Sequence, residues 1–277
     1  MKLFISSIIL LRPINILLSG LTIIICAIIT DSLSETKLIM QGLIIVMTFT
    51  GGANALNDYL DIEIDKINHR NRPLTKDILT SNFALNLSIL LFTIGIAVAI
   101  LTPTTAMILS VGIALPLIVI YNVLLKGTIL MGNFVVSIII GITFLFSGSL
   151  FNELNNMIVP AFLAINFTFV REFIKDMADA KGDKEMGLNT LPVRLGLVRS
   201  AKIAIGMIFS LLLIIILPYI IGLYKEKYLF ICIIGIGIPL TYIISLLIKT
   251  PSPNNCLKAS KLLKICTLIG LTAIYFG

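Results

Sequence analysis

The stretch Asn54-Ala55-Leu56-Asn57-Asp58-Tyr59-Leu60-Asp61-Ile62-Glu63-Ile64-Asp65 places four acidic side chains at the end of an apolar run. That run, residues 38–57, is long enough to cross a bilayer as a helix. If the helix continues, a rotation of ~100° per residue puts Asp58, Asp61 and Asp65 within roughly 60° of one another. Glu63 is turned away from Asp58 by ~140° and is expected to be dispensable. The three aspartates therefore share one face, where charge is costly beside a membrane.

A second stretch, Asp176-Met177-Ala178-Asp179-Ala180-Lys181-Gly182-Asp183, repeats the D-x-x-D-x-x-x-D spacing after another apolar run. A single stretch of this kind is ordinary at a solvated helix end. Two copies with identical spacing favour a divalent-metal site instead.

The composition predicts a polytopic membrane protein of the all-α class, with one domain over residues 1–277. Of 277 residues, 58% are hydrophobic and 13% charged, and the mean hydropathy is +1.07; soluble domains have about a quarter of their residues charged. Long apolar runs indicate helices, because a membrane barrel would show short alternating segments. The nine predicted spans are 14–30, 38–57, 82–101, 104–122, 132–151, 156–174, 200–222, 227–248 and 257–276.

The distribution of basic residues predicts the orientation in the membrane. Eighteen of the 21 Lys and Arg residues fall on one side of the predicted spans, and only Lys37, Lys225 and Lys227 fall on the other. The positive-inside rule makes the N-terminus and both acidic stretches cytoplasmic and, for nine spans, the C-terminus external. The net charge of +7 then reflects topology and gives no indication of nucleic-acid binding. Residues 1–11 are expected to form an interfacial helix interrupted at Arg12-Pro13.

The acids are concentrated on the predicted cytoplasmic face. Because four spans separate the two stretches, both emerge on the same side. Two carboxylates 4 Å apart repel by ~4 kcal/mol at an effective dielectric of 20, so converging acids need neutralising charge. Mg²⁺ suits carboxylate and phosphate oxygens, and nearby Lys and Arg suit phosphate. Ten of the fourteen acids lie in these two regions: Asp58, Asp61, Glu63, Asp65, Asp77, Glu172, Asp176, Asp179, Asp183 and Glu185.

Simpler explanations stay open for the other polar residues. The group His69, Arg70 and Arg72 is also what a cytoplasmic loop carries under the positive-inside rule. Tyr121 and Lys126 fit an interfacial anchor, with the ring at the headgroups and the ammonium reaching water.

These motifs resemble the UbiA-type intramembrane prenyltransferase superfamily over essentially the whole chain. One spacing departs from the family pattern: its Tyr-x-x-x-Lys is one residue longer here, as Tyr121-x-x-x-x-Lys126. The matching segments are Asn57-Asp58-x-x-Asp61-x-x-x-Asp65, Asp179-Ala180-Lys181-Gly182-Asp183, Arg12-Pro13-x-Asn15 and Arg72-Pro73.

The resemblance implies a horseshoe of nine helices around a central cavity, with a cytoplasmic cap. It also implies Mg²⁺-assisted ionisation of an allylic diphosphate. Residues 171–183, followed by Thr190-Leu191-Pro192, are most similar to archaeal members of the family. For those members the donor is geranylgeranyl diphosphate and the acceptor is the glycerol hydroxyl of geranylgeranylglyceryl phosphate, which gives the second ether bond of the archaeal lipid.

The same resemblance implies roles for individual residues. The metal ligands are Asn57, Asp61, Asp65, Asp179 and Asp183, with Asp58 and Asp176 as direct or supporting ligands. The cations that stabilise the departing pyrophosphate are Arg72, Lys126 and Lys175. The candidates for binding the substrates are Arg12, Arg70, Arg171, Asn15, Asn54 and Tyr121.

Three alternatives are open at this point. The same chemistry could serve an aromatic acceptor, such as a quinone or heme precursor. A divalent-cation transporter would carry its acids at mid-span, whereas these lie at span ends. A CDP-alcohol phosphotransferase would need Gly and Arg inside its acidic motif, and neither stretch supplies them.

Overall fold

The computed structural model describes residues 2–68 and 71–277, and in these ranges every regular element is a helix. The predicted all-α class is confirmed. The helices, in chain order, are α1 (Lys2–Leu11), α2 (Pro13–Ile29), α3 (Thr36–Leu60), α4 (Ile62–Asn68), α5 (Ser81–Ala99), α6 (Thr104–Leu125), α7 (Met131–Leu150), α8 (Ile158–Glu185), α9 (Leu191–Leu195), α10 (Leu197–Ile220), α11 (Glu226–Lys249) and α12 (Pro253–Tyr275).

Seven of the described helices are long and apolar enough to cross a membrane: α3, α5, α6, α7, α8, α10 and α11. Helices α1 and α2 qualify together as a pair bent by 50°. The chain is thus a multi-pass membrane protein with up to eight candidate spans by length and composition. The ninth predicted span coincides with α12, a helix whose first half carries Lys258, Lys261 and Lys264.

The bend between α1 and α2 lies at Arg12. Its backbone is left-handed, with φ 54° and ψ 71°, and Pro13 opens α2. Proline disfavours the α conformation in the residue before it and is well suited to the first helical position. The break predicted at Arg12-Pro13 is therefore present, and Arg12 lies between the two helices.

The chain divides into two compact units, of which the first comprises Met1–Lys126 and Ile142–Ile158. In this unit α3 packs against α2 and α5. A Cβ atom added to Gly95 of α5 would lie 2.3 Å from the Phe49 ring of α3. Ser88 Oγ donates to the carbonyl oxygen of Gly52 at 2.9 Å. Small residues allow this close approach of helices in lipid.

The second unit comprises Gly127–Gly141 and Val159–Gly277. Here α10, α11 and α12 pack together. The buried Tyr228 hydroxyl of α11 donates to the carbonyl oxygen of Ile215 in α10 at 2.8 Å. Apart from Glu226, the acids of this unit lie in α8, so α8 carries its polar chemistry.

Candidate active site

The first acidic cluster, Asp58, Asp61 and Asp65, lies where α3 passes into α4. Asp61 sits at the junction, and its N–H donates to the Asn57 carbonyl at 3.0 Å. The Asp65 N–H donates to the Asp61 carbonyl at 2.8 Å, which preserves helical spacing across the junction. Asp58, Asp61 and Asp65 are only 2%, 4% and 3% exposed. The three carboxylates therefore lie on one buried side.

Glu63 belongs to the same stretch but lies outside the cluster. Its carboxylate accepts from Lys66 Nζ at 2.7 Å, and both side chains are more than half exposed. This orientation agrees with the helical geometry that separates Glu63 from Asp58.

Three cations of the chain neutralise the first cluster. Arg12 Nη2 donates to Asp58 Oδ1 at 2.5 Å, and Arg72 Nη1 donates to the same oxygen at 3.0 Å. Arg72 also forms an ion pair with Asp65, and Lys126 forms one with Asp61. Buried charge is tolerated when it is paired and hydrogen-bonded. The neutralising charge required by the converging acids thus comes from Arg12, Arg72 and Lys126.

Asp65 holds its proton more tightly than an exposed aspartate does. Burial raises the pKa of Asp65 to about 6; Arg72 acts against the rise, and the neighbouring Asp58 carboxylate adds to it. A metal ion needs the ionised carboxylate. A metal ion at Asp65 would therefore have to compete with a proton at pH values near 6.

Amide side chains extend the cluster toward α1 and α6. Asn54 Nδ2 donates to the Leu11 carbonyl at 3.0 Å, which satisfies an acceptor at the end of α1. Asn57 Nδ2 donates to Asn122 Oδ1 at 3.1 Å, and Asn57 Oδ1 accepts from Arg12 at 3.2 Å. Asn122 is buried in α6.

The last turn of α6 explains the longer Tyr–Lys spacing. Residues Tyr121–Leu125 form a π-turn, and the Lys126 N–H donates to the Tyr121 carbonyl at 2.9 Å. A π-turn holds one residue more than an α-turn. The additional residue is absorbed there, and Lys126 still reaches Asp61. Tyr121 is half-buried at the start of the turn.

The second acidic cluster, Asp176, Asp179 and Asp183, lies on α8. Because α8 is uninterrupted from Ile158 to Glu185, these residues share one face. Asp176 Oδ2 accepts from Asn133 Nδ2 at 2.8 Å. Thr190 Oγ1 lies 3.4 Å from Asp183 Oδ2, with both residues buried, and Asp179 is half-buried.

A basic pair precedes the second cluster on α8. Arg171 pairs with the buried Glu172, and Lys175 Nζ lies 3.7 Å from the other carboxylate oxygen of Glu172. Arg171 Nε is buried and has no hydrogen-bond partner among the described residues. This guanidinium edge is suited to an anionic group.

Two further residues predicted to bind substrate remain. Asn15 is half-buried in the first turn of α2, where its N–H donates to the Arg12 carbonyl at 2.8 Å. Arg70 lies outside the described residues, as does His69.

The oxygen donors of the first cluster suit Mg²⁺ better than a softer metal ion. Within residues 2–68 and 71–277, no three acidic, His or Cys side chains form a group that could hold a metal by themselves. Mg²⁺ does not require such a group, since it is usually held by one or two carboxylates together with substrate phosphates and water. Asp61, Asp65 and the Asn57 amide follow one another at helical spacing and supply hard oxygen donors, which accept from Lys126, Arg72 and Arg12 respectively. These donors would fit an ion shared with a diphosphate.

Asn122 and Asn133 are not among the site residues predicted from the sequence. Each is a buried amide, one bonded to Asn57 and the other to Asp176. The available signal was a strong hydrogen-bonding side chain close to the end of an apolar run, where polar groups are functional candidates.

Comparisons with known proteins agree with these observations. The chain is 32% identical over 269 residues to digeranylgeranylglyceryl phosphate synthase of Methanosphaera stadtmanae, covering 96% of this chain and 97% of that protein. A solved structure of a digeranylgeranylglyceryl phosphate synthase has a TM-score of 0.77 at 28% identity, covering 100% of this chain and 99% of that chain.

A third comparison concerns the fold. The structure of a UbiA homolog from Archaeoglobus fulgidus bound to GPP and Mg²⁺ has a TM-score of 0.60 at 14% identity, covering 97% of this chain and 99% of that chain. The UbiA prenyltransferase family matches residues 16–265, and the Methanosphaera stadtmanae relative is similar over 97% of its length. The chain therefore belongs to the UbiA prenyltransferase family.

Proposed function

We propose that this chain, a prenyltransferase, moves a geranylgeranyl group from geranylgeranyl diphosphate to the free glycerol hydroxyl of geranylgeranylglyceryl phosphate. The observation that carries the choice of acceptor is the 32% identity to a digeranylgeranylglyceryl phosphate synthase over 96% of this chain. The geometry supports the chemistry, because buried carboxylates and cations lie together at the end of a membrane-spanning helix. The product is an ether.

The membrane location suits the substrates. Transfer of a prenyl chain into water costs ~0.8 kcal/mol per CH₂, so both lipid substrates stay in the bilayer. Their phosphate groups need the polar end of a helix, where charged side chains are available. The cations beside the acidic clusters, among them Arg72, Lys126 and Lys175, meet that need.

The metal assignment is part of the proposal. Mg²⁺, when bound, supplies positive charge beside the phosphate oxygens. The shared acid spacing supports a metal-binding role for both stretches, and the four predicted spans that separate the stretches support their location on the same side of the membrane. The residues that would hold two ions are Asn57, Asp61, Asp65, Asp179 and Asp183, with Asp58 and Asp176 in direct or supporting roles.

The cations of the chain promote departure of the diphosphate. Arg72 and Lys126 are held beside the first cluster by ion pairs, and Lys175 lies beside Glu172. Lysine and arginine side chains carry several N–H donors, which suit phosphate oxygens. Stabilising charge on the leaving pyrophosphate allows the allylic C–O bond to ionise. The glycerol hydroxyl then attacks the resonance-stabilised carbocation and releases its proton.

Binding of the acceptor phosphate is assigned to an arginine. The candidates are Arg12, Arg70 and Arg171, of which Arg171 offers a buried Nε without a described partner. Asn15, Asn54 and Tyr121 complete the proposed substrate contacts. The N-terminus and both clusters are placed on the cytoplasmic side and the C-terminus outside, following the positive-inside rule.

Acceptor dependence tests the proposed reaction. Membranes containing the chain are given labelled geranylgeranyl diphosphate and Mg²⁺ with either geranylgeranylglyceryl phosphate or an aromatic prenyl acceptor. We expect a labelled ether only with the glycerol phosphate. An aromatic product without ether would replace this acceptor by the aromatic one.

The metal assignment has its own test. We expect Asp61→Ala and Asp183→Ala each to reduce Mg²⁺-dependent turnover in membranes at least ~100-fold, because each removes a proposed ligand. Glu63→Ala is the matched control, since Glu63 is exposed and lies outside the cluster. Turnover near the wild-type rate in both aspartate variants would refute the assignment.

A further inference from the structure

The amide hydrogen bonds that join α6 to α3 have a fixed direction. Asn122 Nδ2 donates to the carbonyl oxygen of Ile118 at 2.8 Å. A backbone carbonyl oxygen can only accept, so the NH₂ group of Asn122 must face Ile118. Its oxygen, Oδ1, must then face away from that carbonyl. Asn122 is 8% exposed, which leaves water little part in setting this orientation.

The orientation of the Asn122 amide fixes the orientation of the Asn57 amide. Asn122 Oδ1 accepts from Asn57 Nδ2 at 3.1 Å, so the NH₂ group of Asn57 is committed toward α6. The Asn57 oxygen consequently faces the other way, where it accepts from Arg12 Nη2 at 3.2 Å. A reversed Asn57 amide would set NH₂ against the guanidinium and oxygen against oxygen. Both contacts would be repulsive.

We propose that Asn122 is a positioning residue that holds the Asn57 amide with its oxygen toward Arg12 and the acidic cluster, where that oxygen can ligate a divalent cation. Hard cations take oxygen ligands, so only this orientation of Asn57 is useful to Mg²⁺. The inference rests on the proposed function, because it takes Asn57 as a metal ligand. In this role Asn122 acts through Asn57 and is not itself a ligand.

Two substitutions at position 122 separate the positioning role from packing. Asn122→Leu removes the acceptor for Asn57 and frees its amide to turn. Asn122→Asp keeps an oxygen acceptor for Asn57 Nδ2 in a side chain of nearly the same shape. We expect the leucine variant to raise the Mn²⁺ concentration for half-saturation about tenfold, as the loss of a ligand's hydrogen-bond partner commonly does. The aspartate variant should stay within about threefold of wild type.

A second-site change makes the test specific to amide direction. Asn57→Asp presents two equivalent oxygens, so the direction of the side chain no longer matters. In the Asn57→Asp background, the Asn122→Leu substitution should then weaken Mn²⁺ binding by less than about twofold. If leucine acted only by disturbing the structure, it would weaken Mn²⁺ binding as much in this background as in the wild type.

The measurement is Mn²⁺ binding by the purified full chain in detergent, with inorganic pyrophosphate in place of the prenyl substrate. Binding is followed by loss of the free-ion electron paramagnetic resonance signal beyond the loss that pyrophosphate alone causes. Asn166→Leu is the matched control, since Asn166 Nδ2 likewise donates to the carbonyl four residues earlier, that of Phe162, at 2.8 Å. It should leave binding unchanged. Asn122→Ala, which removes the same hydrogen bonds without added bulk, is carried in parallel in case the leucine variant does not fold.

The outcomes are distinguishable. Loss with leucine or alanine, retention with aspartate and suppression by Asn57→Asp support the inference. Wild-type Mn²⁺ affinity in the leucine and alanine variants overturns it and leaves the proposed function standing. A wild-type chain that binds no Mn²⁺ overturns the proposed metal chemistry and this inference together.

Discussion

At the residue scale, Asp58 holds two of the three cations of the first cluster. Arg12 and Arg72 both donate to the same oxygen of this side chain, which is 2% exposed. Asp58 therefore anchors two guanidinium groups that would otherwise repel one another. Arg72 also forms an ion pair with Asp65. One arginine therefore links two buried carboxylates and offsets the repulsion between them.

Removing Arg72 should destabilise the protein. Arg72→Gln leaves Asp58 and Asp65 buried with one cation fewer, and breaking a buried pair costs on the order of 3 kcal/mol. We expect a lower free energy of unfolding in detergent and loss of prenyl transfer. Lys66→Gln is the control, because the Lys66–Glu63 pair is exposed and such pairs contribute about 0–1 kcal/mol. Equal stability of the two variants would show that Arg72 is not structurally coupled to the aspartates.

At the element scale, helix irregularities and glycines place the charged groups. The π-turn Tyr121–Leu125 ends α6 with one extra residue and delivers Lys126 to Asp61. Gly52 and Gly95 let α3 and α5 pack closely, so that an aromatic ring lies against each glycine and the Ser88 hydroxyl donates to the Gly52 carbonyl oxygen. Both features act through backbone geometry that polar motifs alone do not reveal.

The π-turn predicts an asymmetry between deletion and insertion. Deleting Leu124, which is 68% exposed, converts the π-turn to an α-turn and keeps Lys126 near its present direction. Adding an alanine after Leu124 turns Lys126 by ~100° away from Asp61. In a membrane transfer assay we expect the deletion to retain at least about a tenth of activity and the insertion to lose nearly all of it. The reverse order would contradict this account of the turn.

The contact between α3 and α5 predicts a glycine effect. A Cβ at position 95 would lie 2.3 Å from the Phe49 ring and 2.7 Å from Thr48 Oγ1. Gly95→Ala should therefore cost about 1–3 kcal/mol of unfolding free energy through overpacking. Gly206→Ala in α10 is the control, since no atom lies within 4 Å of its added Cβ. That variant should be neutral, or more stable by up to about 1 kcal/mol. Thermal unfolding of both in one detergent compares them.

At the scale of the whole molecule, each compact unit carries one acidic cluster. The first unit holds Asp58, Asp61 and Asp65 with their three cations, and the second holds Asp176, Asp179 and Asp183 on α8. Neither cluster forms a complete metal site among the described residues. A reaction that needs both must have both on one membrane face.

The prediction for the whole chain is that both acidic clusters lie on the cytoplasmic side of the membrane. The four native cysteines are buried, so a charged maleimide should give little background labelling. Glu63→Cys and Lys181→Cys, both exposed, should react from the cytoplasmic side. Lys37→Cys and Lys225→Cys, also exposed, should react from the outside. Labelling of Glu63→Cys and Lys181→Cys from opposite faces would refute the predicted orientation.

The sequence by itself determined the features that depend on local periodicity. Bilayer thickness sets the length of an apolar run, so the all-α class and most span positions were readable from residue order. Helical rotation likewise predicted the common face of Asp58, Asp61 and Asp65 and the separate direction of Glu63. The count of nine spans was not fully supported, because α12 carries three lysines and so falls outside the candidate spans.

Only the tertiary structure decided which groups meet. Arg12 lies 46 residues from Asp58 in the chain, and Asn122 lies 65 residues from Asn57. Such pairs depend on how α1, α3 and α6 pack, and no periodicity within one helix specifies that packing. The direction of the Asn57 amide is decided in the same way, because it follows from a backbone carbonyl on another helix. Sequence therefore located the acids, and packing assigned their partners.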